Sequence, residues 1–406
     1  MKAMPPRPRQ LVVTINGPGE IAAWLTPFAA ALKARAPEMH VAVALLPCVF
    51  SSGAELSVLE RLETVDAACA VSDSWGMILR GDLPAGFLRE AETLVFHFGG
   101  ELALTRALAW RLGAEIFAYA DHEIGPRRAF ARVFYSGLTR PRGARGEDFV
   151  GELMVDAARL IRSTAPHAQG GSPVIGLYPG SRDYMVRYLL PFLAIAADKL
   201  APRHPDAEFL VAQAPFVSEA LLADFPPPVV ANGWDGTPLR LESEQGGRFM
   251  VTEAGTRLRL TTNAEVLARA DLAISLPGTN SGEMAAAGVP MVTILPTHFA
   301  DLAPLPGLAG HIGRLPLVGR PLKRFFAHQA LKSYDFLAQP NRRAGRRLVP
   351  ELVGLITPAE IVAAVEQMLA GDLKALGREV QAAMGPPGAA EKLAEEVTLY
   401  FDSRRG

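Results

Sequence analysis

The chain has 406 residues, about two average domains, and its 41 Lys and Arg against 42 Asp and Glu leave a formal net charge of −1. No global field therefore steers it to nucleic acid or to an anionic membrane. Its two cysteines, Cys48 and Cys69, lack the spacing of a zinc site, a redox motif or a disulfide framework, which fits a reducing cytoplasm. No apolar run reaches the roughly 18 residues of a membrane span, and the stretch after "MKAMPPRPRQ" is too short for a signal-peptide core.

Taken in chain order, "QLVVTI" reads as a strand, "NGPGE" as a turn, "IAAWLTPFAAALKARAP" as a helix stopped by Pro37, and "HVAVALLP" as the next strand. The alternation resumes with "TLVFHF", the turn "GGE", the helix "LALTRALAWRLG" and the strand "AEIFAYA". That pattern belongs to a Rossmann-like half, expected over residues 1–166. The turn formers "HAQGGSP", His167–Pro173, supply the linker. A second α/β domain, 173–365, opens with "VIGLYP", the helix "YMVRYLLPFLAIAADKL" and the strand "EFLVAQA". Pro191 lies inside that helix pattern and predicts a kink or a fresh start, since an interior proline costs about 3 kcal/mol. "IVAAVEQMLAGDLKALGREVQAAM" and "AAEKLAEEVTLYFDS" read as helices, and those of 366–406 are expected to pack back across both domains.

The stretch "DLAISLPGTNSGEMAAAGVPMVTILP", Asp271–Pro296, is the most informative. An apolar strand breaks at Pro277-Gly278, a helix starts near Glu283, Gly288-Val-Pro290 stops it, and a second apolar strand follows. The connection is that of parallel neighbours, so its loop lies at the carboxyl edge of a sheet, where α/β proteins bind ligands. The first N–H groups of a helix lack intrahelical partners and its dipole is positive there, so Thr279, Asn280 and Ser281 can offer donors to an anion such as a diphosphate. Ordinary capping chemistry also accounts for Asn, Ser and a following Glu. A second loop, Tyr178-Pro179-Gly180-Ser181-Arg182, again follows a strand and precedes a helix. Its guanidinium suits bidentate phosphate contacts and Gly180 permits close backbone approach. Alone it also fits a plain surface turn; two such loops at one sheet edge form a two-sided clamp.

On these residues the chain resembles the lipid-A-disaccharide synthase family. "GLYPGSRDYMVRYLLPFL" is similar to the family's L-P-G-S-R before a Leu-Pro helix, and "PGTNSGEMAAAGVPMV" to S-G-T-A-T-L-E-A with A-G-V-P-M-V. "QPNRRAGRRLVPEL" is similar to P-N-x-x-A-G-R-E-x-V-P-E-L, and "FVGELMVDA" to F-V-G-H-P-L-V-D-A. The resemblance implies a GT-B glycosyltransferase: two Rossmann-like domains facing across a cleft, with C-terminal helices. It implies transfer of a sugar from a UDP-sugar to a lipid-linked or other glycan acceptor, without a cofactor. Gly180, Ser181, Arg182, Gly278, Thr279, Asn280 and Ser281 would then face the donor diphosphate, Glu283 would hold the ribose, and Asn341 and Glu351 would complete the uridine side.

The departures concentrate in the first domain. The family's G-E-x-S-G-D becomes Asn16-Gly17-Pro18-Gly19-Glu20-Ile21, with its Asp gone, and I-D-A-P-D-F becomes Phe96-His97-Phe98-Gly99-Gly100-Glu101, its second Asp falling on Gly100. The histidine of V-G-H-P becomes Glu152. A base is needed beside the acceptor hydroxyl. Glu101 is the first candidate, with His97 and Glu20 as alternatives, although Glu101 equally fits a helix cap. Gly17 and Gly19 are expected to form a rigid loop facing the cleft, and a plain turn explains them nearly as well.

No metal constellation is evident, the histidines being scattered and no Asp-x-Asp pair following a strand. Asp121-His122-Glu123, just after "AEIFAYA", stands at the expected cleft edge. The basic segment 314–347, with Phe325 and Phe326 at its centre, suits a headgroup layer and equally a solvated face over core phenylalanines. A cytoplasmic protein with peripheral contact at the inner face of the membrane is the expectation. Two other readings fit the same architecture: a UDP-sugar epimerase, and a non-catalytic nucleotide-sugar-binding protein.

Overall fold

The computed structural model describes residues 7–47, 53–164, 172–230, 234–298 and 335–404. It divides into two compact units, one formed by Met1–Ala157 with Pro386–Gly406 and the other by Ala158–Gly385. Both are α/β.

The first unit is built on a six-stranded sheet ordered β3-β2-β1-β4-β5-β6. Its strands are β1 (Arg9–Ile15), β2 (His40–Leu45), β3 (Ala67–Cys69), β4 (Glu92–His97), β5 (Glu115–Ala120) and β6 (Arg132–Tyr135). Every pairing is parallel. Helices cover both faces of such a sheet, so its central strands read as continuous apolar runs; six of the seven residues of β1 are buried. The order reverses between β1 and β4, which makes their carboxyl ends the topological switch point.

The second unit repeats the arrangement with an extension. Its strands are β7 (Val174–Tyr178), β8 (Glu208–Ala212), β9 (Leu239–Glu244), β10 (Gly247–Thr252), β11 (Arg257–Thr261), β12 (Leu272–Ser275), β13 (Met291–Pro296) and β14 (Glu351–Gly354). Their order is β14-β13-β12-β7-β8-β11-β10-β9. From β11 to β14 the pairing is parallel, and β9 and β10 add an antiparallel hairpin at one edge. The switch point here lies between β7 and β12. The core beneath includes Leu190, Phe192 and Leu193, with Trp234 stacked on Phe192 at 3.9 Å between ring centroids.

Pro191 neither ends nor restarts its helix, which runs unbroken from Asp183 to Leu200. Leu190, Pro191 and Phe192 are all buried, and that burial outweighs the lost hydrogen bond; the Pro191 carbonyl accepts the Thr237 N–H at 3.2 Å. The terminal helices are divided between the two units. Pro358–Leu369 and Leu373–Met384 stay with the second unit, and Ala389–Ser403 returns to the first. There Asp156 caps the returning helix, accepting from the N–H groups of Gly388 (2.7 Å) and Ala390 (2.8 Å). Of the expected linker, residues 167–171 lie outside the described residues, as do 314–334 of the basic segment, Phe325 and Phe326 among them.

Candidate functional site

In the second unit β7 and β12 are adjacent and parallel, with Tyr178 and Ser275 in register at their ends. Immediately beyond them the chain makes the two loops singled out above, and each opens a helix, Asp183–Leu200 and Thr279–Ala286. The two helix N-termini therefore stand side by side at one sheet edge. Gly278 caps the second with φ +132° and ψ −156°, a conformation that other residues avoid, and open space surrounds its Cα. Thr279 and Asn280 are half-buried, as are Ser181 and Arg182. The Arg182 guanidinium reaches back along its own helix to the Met185 sulfur at 3.9 Å. Gly180 has φ +107°.

Other residues named from the sequence are turned inward. The Ser281 hydroxyl is buried, donating to the Gly278 carbonyl (2.7 Å) and accepting from the Gln339 N–H (3.3 Å). It holds the loop, and the Ser281 N–H also donates to the Gly278 carbonyl, at 3.1 Å. Asn341 is completely buried. Its oxygen accepts the N–H groups of Leu348 (2.7 Å) and Val349 (2.9 Å), and its amide donates to the Val349 carbonyl (2.9 Å) and to Glu351 (2.8 Å). Glu351 also takes the N–H groups of Leu337 and Ala338. This pair locks the Gln339–Ala344 helix onto β14 and engages both side-chain N–H groups of Asn341. Glu283, 3% exposed, accepts from the Asn263 amide at 3.0 Å, and Asn263 in turn accepts the Tyr178 hydroxyl at 2.8 Å. Burial pushes the Glu283 carboxyl up to about 7, so it is poised between its two protonation states near neutrality.

In the first unit a cavity of about 390 Å³ opens at the switch point. Its walls include Asn16 and Glu20 after β1, His97, Phe98, Gly99 and Gly100 at the end of β4, and Asp121 to Gly125 after β5. The Glu20 carboxylate packs so closely on Gly17 that a Cβ there would lie 2.3 Å from Oε2; one at Gly99 would meet Asn16 at 3.0 Å. Gly17 therefore leaves room for the Glu20 carboxylate, and Gly19 lies inside the short helical turn Pro18–Glu20. A π-helical turn, Ile21–Leu25, carries Trp24 into the cavity wall, and its indole N–H is buried with no hydrogen-bond partner among the described residues.

The two leading base candidates fare differently. Glu101 is the exposed residue preceding helix Leu102–Leu112 and does not line the cavity. Gly100 has φ +94° and abuts Leu46, and that sharp turn carries the next residue past the wall. His97 does line it, but burial pushes its imidazole down to about 4. Its Nδ1 is engaged by Thr105 (2.9 Å) and Thr14 (3.3 Å). Asn263 and Trp24 carry no signal as site residues: Thr262-Asn263 reads as a helix start, and a tryptophan in an apolar helix reads as core. Among the described residues no group of three or more His, Cys, Asp or Glu is placed to hold a metal ion.

No family model matches the chain. It is 30% identical over 297 residues to the lipid-A-disaccharide synthase of Anaeromyxobacter dehalogenans strain 2CP-1, covering 71% of this chain and 65% of that protein. It is 34% identical over 150 residues to the Ruegeria pomeroyi lipid-A-disaccharide synthase, 36% of this chain and 34% of that one. The chain thus spans 65% of the length of the first of these curated relatives. Among solved structures, a UDP-N-acetylglucosamine 2-epimerase superposes over 98% of both chains with a TM-score of 0.53 at 11% identity. S. aureus MnaA, solved with UDP, covers 97% of both chains with a TM-score of 0.51 at 10% identity. At such identities the likeness is one of fold. The chain is similar in sequence to lipid-A-disaccharide synthases and shares with these solved structures a fold of two Rossmann-like domains, the GT-B plan.

Proposed function

We propose that the protein is a glycosyltransferase that moves a sugar from a UDP-sugar to a lipid-linked or membrane-proximal glycan acceptor, with inversion at the anomeric carbon and with neither metal nor cofactor. The observation that carries this reading is the pair of helix N-termini beyond β7 and β12, in register at Tyr178 and Ser275. The first turns of two helices and Arg182 lie at one sheet edge, an arrangement that suits the two negative phosphates of a departing UDP. Glu283, within hydrogen-bond reach of Asn263, is the ribose ligand once the loop engages nucleotide. The acceptor belongs to the first unit's cavity, whose wall mixes Trp24 and Phe98 with Asn16, Glu20 and His97, a combination that suits a sugar ring's apolar face and hydroxyl rim. The names of the relatives support the same chemistry.

The test is a thermal-shift comparison of UDP, UDP-GlcNAc, GDP and ADP at millimolar concentration, because a ligand bound only to the native state raises its stability by mass action. Selective stabilisation by the uridine nucleotides is expected; no stabilisation by any of them would defeat the reading. Incubation with UDP-GlcNAc alone then separates transfer from epimerisation, which would give an epimer without any acceptor.

A further inference from the structure

Resting on the glycosyl-transfer reading, we infer that Asp121 and His122 form a carboxylate–imidazole dyad in which His122 is the catalytic base and Asp121 its positioning residue. The two side chains meet at 2.6 Å, Oδ1 to Nδ1, in the segment that follows β5, and both line the cavity. A carboxylate on Nδ1 fixes the ring and the tautomer and leaves Nε2 as the basic atom. Among the described residues Nε2 has no hydrogen-bond partner, and the His122 side chain is 70% exposed against 30% for Asp121, so a hydroxyl entering the cavity can reach it. The backbone beneath is held, the Asp121 carbonyl accepting the Thr139 hydroxyl at 2.9 Å.

The other titratable groups around the cavity are Glu20, His97, Tyr119 and Glu123. His97 is kept neutral by burial and by the nearby His122, and a neutral imidazole beside the dyad adds no competing positive charge. Glu20 is packed against Gly17 and Gly99. His122 is raised above its ordinary value, chiefly by the Asp121 hydrogen bond. In the transfer step the acceptor O–H gives its proton to Nε2 as its oxygen bonds to the anomeric carbon. The bond from that carbon to the β-phosphate oxygen breaks, and UDP leaves with the electron pair. Asp121 stabilises the imidazolium, which returns its proton to solvent.

The experiment follows UDP release from UDP-GlcNAc, with octyl glucoside as acceptor, between pH 5 and 9 for the full chain and for His122→Gln and Asp121→Asn. Alongside, NMR titrates the His122 ring nitrogens and thermal shift reads UDP binding. Expected for the parent protein is an ascending limb with its midpoint above 6.5. In His122→Gln that limb disappears and the rate at pH 8 falls by about a hundredfold or more, the ordinary contribution of a general base, while UDP still stabilises the protein. In Asp121→Asn the limb and the His122 titration both move to lower pH. A His122→Gln protein that keeps its rate within threefold would overturn the dyad and leave the nucleotide clamp standing. A parent protein that binds UDP yet releases none from UDP-GlcNAc would overturn it as well. Absence of UDP binding would instead defeat the glycosyl-transfer reading, and the dyad with it.

Discussion

Replacing Glu283 by glutamine should change how the second unit's stability depends on pH. The folded carboxyl is raised from 4.5 to about 7 by burial, and the Asn263 amide donates to it. Between those two values the native state holds a proton that the unfolded state has lost, so stability is fully present below about 4.5 and declines as pH rises towards 7. At 1.36 kcal/mol per pKa unit the loss is on the order of 3 kcal/mol. The group is 3% exposed, so solvent screening takes little from that figure. Glutamine keeps an oxygen to accept from Asn263 and cannot ionise. The variant should therefore match the parent near pH 4.5 and exceed it at pH 8 by roughly 3 kcal/mol. Trp234 is the only tryptophan in the sequence between Ala158 and Gly385, and it is buried against Phe192. With Trp24, Trp75 and Trp110 replaced by phenylalanine, its fluorescence in urea reports this unit's transition alone. A difference between variant and parent that stays constant from pH 4.5 to 8 would refute the argument.

His97→Gln should show the opposite sign in the first unit. There the folded value is depressed from 6.5 to about 4, so the parent loses stability as pH falls through that window, and acid unfolding of the variant should be correspondingly flatter. Arg182→Ala should lower kcat/KM for the UDP-sugar by about a hundredfold or more, as loss of a transition-state charge contact does; an unchanged value would remove Arg182 from the mechanism. Asn341→Ala should cost about 2–3 kcal/mol in chemical denaturation, because buried backbone groups at Leu348 and Val349 lose their partner. The UDP affinity of its folded fraction should be unchanged, which separates a structural asparagine from a ligand contact.

The parallel core was legible because its strands are buried on both faces and so read as continuous apolar runs, as "VIGLYP" and "DLAISLP" do. The hairpin β9–β10 was not. Its first strand, LRLESE, is buried at one position only, and an edge strand with so little apolar signal looks like a polar loop until β11 is there to pair with it. The fate of Pro191 was likewise a tertiary outcome, since the propensity cost is local while the compensating burial comes from elements distant in sequence.

The site was legible to the level of loops and not of side chains, and the reason is competition for partners. Spacing places Ser281, Asn341 and Glu351 near a sheet edge, but whether each serves a ligand depends on which backbone groups the fold leaves unpaired beside it. Here Gln339, Leu348 and Val349, and the turn at Leu337–Ala338, take all three. The same logic moves attention from Glu101 to His122. One positive-φ glycine at position 100 is enough to carry Glu101 past the wall, whereas two consecutive residues after β5, Asp121 and His122, bond to each other while both still line the cavity. Sequence identifies the residue types able to do the chemistry; the intramolecular hydrogen bonds decide which of them remain available for it.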